Sequence, residues 1–432
     1  MVNDFDLSTT LRQVRRASQQ LTRLSGETRN RAIAVISQAL RDSRDDILEA
    51  NTLDLEASRG QQSWVLEGMK LTPERLEEAA CHLDQLTLTP EPIGVMDQSW
   101  RTGEGDIFSR YRVPLGVIAL VYEIYPEFAL QGLGMGLKTA NGLVLCSSHT
   151  LTHTHQVMIE RLSEAAYTAG IPEGAIQVAP PDQVQLPDSD DTRLPPLLQQ
   201  SRFVDLIIPC GRSSWVEALQ QGSNTPVLAT GLGYGYLYID ESASWQLVES
   251  LLTRGLSGET LDSRLVLQPV LLGLLMHRQW VDRHLPALID LLSCQEIPLQ
   301  ADAAIAKSVS SDHHSGGLDP IHEGIDSAPL PSVRLQQVKD TNEAIQWLNK
   351  NGSLLSAGIL SDSHQAISRF VQEIDTATIL VNQLPLQVDY PMDVLMPCSV
   401  QKLHTRGPIT LESLTTLKYV VTGQVGSRSG RV

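Results

Sequence analysis

From Val113 onward the chain alternates short apolar, β-branched runs with helical stretches, and this alternation restricts its fold more than any other feature. The run VPLGVIALVYE (Val113 to Glu123) predicts a strand buried on both faces, because such strands read as near-continuous apolar sequence. Glu127 to Thr139 predicts a helix, GLVLCS (Gly142 to Ser147) a strand, and Thr150 to Ala169 a helix. The rhythm continues through the strand FVDLIIP (Phe203 to Pro209), a helix over Ser213 to Gln220, the strands TPVLAT and YLYID, and a helix near Ser244 to Leu256. It returns as AGIL, a helix over Ser363 to Ile374, and TILVN. Strands and helices in alternation predict an α/β fold, a parallel sheet with helices on both faces.

The first part of the chain is helical. Leu7, Leu11, Val14, Ala17 and Leu21 recur at helical spacing, as do Ile33, Ile36, Ala39 and Leu40 beyond Gly26. Thr72 followed by Pro73 predicts a helix start with an N-cap and an N1 proline, although Arg75 stands where a capping box would place Glu. That helix is expected to end near Thr87. Two stretches carry loop chemistry, the Pro- and Asp-rich Ala179 to Pro196 and the Ser-, Gly-, His- and Pro-rich Ser308 to Ser332. No internal repeat is present.

Charge and cysteine usage narrow the function classes. With 33 Lys and Arg against 50 Asp and Glu, the net charge of −17 lacks the basic footprint of a nucleic-acid binder. Five cysteines, odd in number, far apart and without a CxxC pair, predict a reducing cytoplasm rather than a disulfide framework. The start MVNDFDLSTTL has no apolar core and does not resemble a signal peptide. The apolar run Leu265 to Met276 is broken by Gln268 and Pro269 and is too short to span a bilayer, so no membrane partner is expected.

Local motifs are weak. GLGYGY (Gly231 to Tyr236) lacks the third glycine of a dinucleotide loop and precedes a strand, which predicts a tight connection between strands. His149 and His153 have metal-ligand spacing, but no Glu lies between them, and a solvated first helical turn is the better reading. No metal is expected. His313 and His314 fall in a polar loop. Cys146 and Cys210 end predicted strands as packing thiols, without a neighbouring His to activate them.

Several stretches resemble one family. ANTLDLEASR (Ala50 to Arg59), YRVPLGVIALVYE with LKTANGLVL (Leu137 to Leu145), DLIIPCGRSSW, TPVLATGLGYGYLYIDESA, and above all SVQKLHTRGPITLESLTTLKYVVTG (Ser399 to Gly423) are similar to the γ-glutamyl phosphate reductases, and the similarity covers most of the chain in order. The resemblance implies an aldehyde dehydrogenase-like architecture. On this basis a cofactor-type α/β domain spans 1–224, including a hairpin at 100–113; a catalytic-type α/β domain spans 225–381; and a returning tail, 382–432, pairs with the hairpin of a neighbouring subunit in a homo-oligomer.

The resemblance also implies NADPH-dependent reduction of L-glutamyl 5-phosphate to L-glutamate 5-semialdehyde and phosphate, a step of proline biosynthesis. In that chemistry a thiolate displaces phosphate to give a thioester, which accepts hydride, while an amide donor holds the oxyanion. Counted from DESA, the position of the family's nucleophilic cysteine falls on Ser263, or on Leu261 or Leu272 in shifted registers; no thiol lies between Cys210 and Cys294. Glu127 stands at the oxyanion asparagine, and Ala229 replaces the acid of the family's ETG. The arginine- and glycine-rich segment before Ser399 is shortened to QLPLQVDYPMDVLMPC. The cofactor strand ends in Cys146, Ser147 and Ser148 instead of Arg-Gly-Gly, leaving Lys138 or Arg212 as the candidate cations for NADP. Two readings follow: a family reductase with impaired chemistry, or a non-catalytic binding or regulatory relative that forms oligomers, an active homologue being one candidate partner.

Overall fold

Capping chemistry sets where the first helices begin. In the computed structural model, which describes residues 5–103, 105–186, 194–231, 234–256, 270–295, 299–302, 304–306, 333–352, 354–384 and 394–423, α1 (Leu7–Leu21) starts at Asp6, whose carboxylate accepts from the Thr9 N–H at 3.1 Å. α2 (Gly26–Asp42) starts at Ser25, which accepts from the Thr28 N–H, and buries Ile33, Ile36 and Leu40. α3 (Arg44–Ala57) and α4 (Ser63–Met69) were not expected. The buried face of α3 mixes Ile47 and Ala50 with Asn51 and Asp54, so no apolar period marks it. α5 (Pro73–Leu88) begins at the Thr72 cap, as the sequence predicts.

The run VPLGVIALVYE makes two strands, not one. β1 (Met96–Arg101) pairs antiparallel with β2 (Ile107–Pro114), and β3 (Val117–Tyr122) starts a separate parallel sheet. Gly116 separates them at φ +132°, a conformation that favours glycine, and a Cβ there would lie 2.2 Å from the Asp205 carboxylate. Asp205 accepts from the Val117 N–H at 2.7 Å and pairs with Arg15 at 2.6 Å, which ties the turn to α1.

β3 continues into α6 (Pro126–Lys138), β4 (Gly142–Ser147), α7 (Thr152–Thr168), β5 (Ile176–Val178), β6 (Leu206–Cys210) and α8 (Ser213–Gln221). The sheet order is β5-β4-β3-β6, all parallel. On one face Ile118, Leu120, Leu143 and Leu145 pack against α2, α5, α6 and α7; on the other Val117, Val121 and Val144 meet Leu11 and Val14 of α1 and Leu219 of α8.

TPVLAT is mostly not a strand: β7 is only Thr230–Gly231, preceded by an isolated pairing of Val227 with Ile207. β8 (Tyr234–Ile239), α9 (Trp245–Leu256), β9 (Val270–His277), β10 (Leu299–Ala301), β11 (Val333–Val338), β12 (Ser356–Leu360) and β13 (Thr378–Val381) follow. A six-stranded parallel sheet runs β10-β11-β9-β8-β12-β13. The helices Arg278–Ser293 and Thr341–Asn351 lie beside it and were not expected; the first contains Pro286, which a sequence pattern reads as a break. Beyond His364–Glu373 and β13, the tail forms β14 (Val394–Ser399), β15 (Gly407–Thr410) and β16 (Thr415–Thr422).

The tail corrects one expectation. β16 pairs antiparallel with β2 of its own chain, from Thr415 opposite Pro114 to Thr422 opposite Ile107, and not with a neighbour's hairpin. Asn141 donates to the Leu414 carbonyl at 2.8 Å, and Arg112 pairs with Glu412 at 2.9 Å, which hold the start of β16 beside β2.

Candidate active site

In open parallel sheets the ligand side is the edge beyond the strand C-termini. Here the ends of β3, β4, β5 and β6 bring together Glu123, the turn Ile124–Glu127, Cys146, Ser147, Ser148, Pro180, Cys210 and Arg212.

Glu127 follows Pro126 in the first turn of α6 and is buried. Its Oε1 is ion-paired with Nε of Arg75, whose guanidinium also donates to the carbonyls of Glu67 and Lys70. Its Oε2 is buried without a hydrogen-bond partner. Burial pushes the carboxyl above the usual glutamate range, and Arg75 opposes the shift. Where the resemblance places an amide donor, the structure therefore places an acid held in an internal ion pair.

Cys146 is fully buried, its thiol donates to the Pro180 carbonyl at 3.3 Å, and burial pushes its ionisation far up. Ser147 is buried, with Oγ lacking a partner. Ser148 Oγ donates to the Glu123 carbonyl at 2.6 Å. Lys138 is elsewhere: it ends the 13-residue α6, which at about 1.5 Å per residue puts it ~20 Å away, at the opposite edge of the sheet. There its buried ammonium donates to Asn30 Oδ1 at 2.9 Å and the Thr89 carbonyl at 2.8 Å, and burial pushes its pKa down. Arg212 is at the ligand edge but engaged by Glu123. The described edge thus offers NADP a poor match: two serines, a buried thiol and a guanidinium already paired. Ala229 is buried, its carbonyl accepting from Val400 N–H at 3.3 Å. Ser263 and Leu261 lie outside the described residues, as do His313, His314 and most of the segment before Ser399; Leu272 lies in β9.

The histidine cluster resolves into two roles. His149 is exposed beside Asp182 at 3.1 Å, and His153 pairs with Asp54 at 2.8 Å. No group of metal-ligating side chains occurs among the described residues. Asp54 also accepts from the N–H groups of His153 and Thr154, capping the start of α7, while Asn51 donates to the Met69 carbonyl at 2.9 Å. The ANTLDLEASR stretch therefore works as a structural clasp, a role that sequence pattern alone does not show.

His155 is buried, hydrogen-bonded through Nδ1 to the Tyr122 hydroxyl, and burial pushes its pKa down to about 4. Between 6.5 and 4 the unfolded chain takes up a proton on this ring and the folded chain does not. Stability should thus fall with pH through that window, by about 3 kcal/mol. His155→Gln is expected to flatten this part of the pH profile in urea unfolding; an unchanged slope between pH 7 and pH 4.5 would remove His155 as the cause.

Two parallel sheets flanked by helices and an antiparallel arm built from hairpin and tail define an aldehyde dehydrogenase-like fold. A structure of a cysteine-to-alanine mutant of propionaldehyde dehydrogenase from a Clostridium phytofermentans bacterial microcompartment aligns with TM-score 0.67 at 15% identity, covering 98% of this chain and 99% of that one. A crystal structure of gamma-glutamyl phosphate reductase from Thermotoga maritima aligns with TM-score 0.81 at 24% identity, covering 98% and 100%. The gamma-glutamyl phosphate reductase of Gloeobacter violaceus is 30% identical over 426 residues, 96% of this chain and 97% of that protein. No protein-family model matches the chain. The chain belongs to the gamma-glutamyl phosphate reductase family.

Proposed function

We propose that this family member keeps the scaffold and its assembly surface but has lost most of the reductase chemistry, and acts in the cytoplasm as a binding or regulatory oligomer. The observation that carries this is the buried Arg75–Glu127 ion pair: by the resemblance, Glu127 stands at the position of the amide that donates to the developing oxyanion, and an acid clamped by Arg75 supplies no such donor. The cysteines support it. None falls between Cys210 and Cys294, and Cys146 and Cys210 are buried with their ionisation pushed far up. The second reading, a working NADP-linked reductase of L-glutamyl 5-phosphate in proline biosynthesis, is favoured by similarity over nearly the whole length of the Gloeobacter enzyme. Turnover of glutamate semialdehyde with NADP and phosphate decides between the two. We assign 1–224 to the cofactor-type domain, 225–381 to the catalytic-type domain and 382–432 to the tail. Five cysteines free of disulfides fit a reducing compartment; among the described residues no helix is long and apolar enough to cross a membrane.

The assembly surface is the arm. Trp100 stacks on Phe108 at 5.6 Å and meets Tyr419 edge-on, and Tyr419 and Val421 beside them are more than half exposed (54% and 52%). Aromatic and β-branched side chains on a three-stranded sheet with open edges favour self-association. Light scattering at micromolar concentration should show a dimer or larger species, and Trp100→Asp with Tyr419→Asp should shift it to monomer. A monomeric wild-type chain would end the oligomer proposal.

A further inference from the structure

We infer that the dinucleotide edge is occupied from within: the Glu123 carboxylate fills an anion seat made by Arg212, so a phosphate-bearing dinucleotide must displace it to bind. Glu123 follows β3 and its side chain is only 10% exposed. Its Oε1 accepts from Arg212 Nε at 2.9 Å and from Nη2, and its Oε2 accepts from the Arg212 backbone N–H at 3.0 Å. Paired donors from a guanidinium plus a backbone amide are the arrangement a phosphate would receive. Carboxylate and phosphate compete for the same hydrogens.

The seat is built around the carboxylate. A Cβ on Gly211 would lie 2.8 Å from Glu123 Cβ, from Glu123 Oε2 and from Trp215 Cε3, so the β6–α8 turn closes on Glu123 only with glycine there. The Glu123 backbone is tied to both neighbouring strands. Its N–H donates to the Cys210 carbonyl at 2.9 Å, and its carbonyl accepts from Ser148 Oγ at 2.6 Å and Thr150 Oγ1 at 3.2 Å. Asp182, exposed beside His149 past the end of β5, adds a second negative charge at the same edge. An incoming phosphate would face these carboxylates while the Arg212 guanidinium is already neutralised.

The inference takes its probe, NADPH, from the family reading and does not depend on loss of turnover. NADPH fluorescence and calorimetry on the full-length chain should show half-saturation no tighter than the millimolar range for the wild type. Glu123→Ala should tighten binding by about tenfold or more, and Glu123→Ala with Arg212→Ala should return it to the wild-type value. Circular dichroism checks that each variant is folded. Glu123→Gln, which keeps the side-chain volume and an acceptor for the Arg212 N–H, is read in the same way where alanine destabilises the turn. Micromolar binding by the wild type, or no tightening in a folded Glu123 variant, overturns the inference. Tight binding without turnover would sink only this inference, whereas turnover at millimolar NADPH would sink only the proposed loss of chemistry.

Discussion

Arg75→Ala is expected to cost about 3–5 kcal/mol of unfolding free energy, because it leaves the buried Glu127 carboxylate with no compensating charge. Both side chains are nearly inaccessible, at 7% and 12% exposure, and Glu127 Oε2 already lacks a partner. Two features separate this mechanism from lost packing. First, Glu127→Gln should recover much of the loss in the Arg75→Ala background, since a neutral amide needs no counter-charge. Second, the loss should depend on pH. Burial already raises the folded-state pKa of Glu127, and removing the guanidinium raises it further. Below that raised value the folded chain holds the proton, so the penalty is present at neutral pH and relieved as pH falls through it. Urea midpoints for wild type and Arg75→Ala at pH 7 and pH 5 measure this; an equal difference at both pH values would mean that the pair is not what Arg75 supplies.

The same two residues show what the sequence discloses and what it hides. Thr72 and Pro73 announce the start of α5, and Arg75 at the capping-box position looks like a minor defect of the cap. Its real partner, Glu127, is 52 positions away by number (127 − 75) on another helix, and no periodicity connects them. The β3–α6–β4–α7 rhythm was legible because those strands are buried on both faces and carry near-continuous apolar sequence. α3 was not, because Asn51 and Asp54 occupy its buried face to clasp the start of α7. Gly116 was visible as a letter, but that it divides one apolar run between two sheets depends on Asp205, far along the chain. At the ligand edge, the resemblance named Glu127 for the oxyanion and Cys146, Ser147 and Ser148 for the cofactor as separate positions, and only the fold shows that the turn after β3 and the end of β4 bring them to one edge. The sequence also named Lys138 as a substitute cation, and could not show that α6 carries that residue to the far edge, into contact with Asn30 and Thr89.

Purified protein is expected to show no phosphate-dependent oxidation of glutamate semialdehyde with NADP or NAD, the reverse direction of the family reaction. If the positions implied by the resemblance hold, one oxyanion donor is lost at Glu127, which costs on the order of a hundred- to a thousand-fold, and Ser263 stands in for the thiol with a hydroxyl that ionises far less readily. Groups that act in one catalytic step do not contribute independently, so Ser263→Cys alone should remain inactive. Ser263→Cys with Glu127→Asn supplies both a thiol and an amide and should give traces of turnover. The structure adds a condition to that experiment: Glu127→Asn strips Arg75 of its buried partner, so the double variant must be shown to be folded, and Arg75→Met should be added where it is not. Turnover by the unmodified chain at about 1 per second or faster would refute the loss of chemistry. Ser263→Ala would then locate the nucleophile, because full activity in that variant means the attacking group is some other residue, while abolished activity means a serine hydroxyl has replaced the thiol.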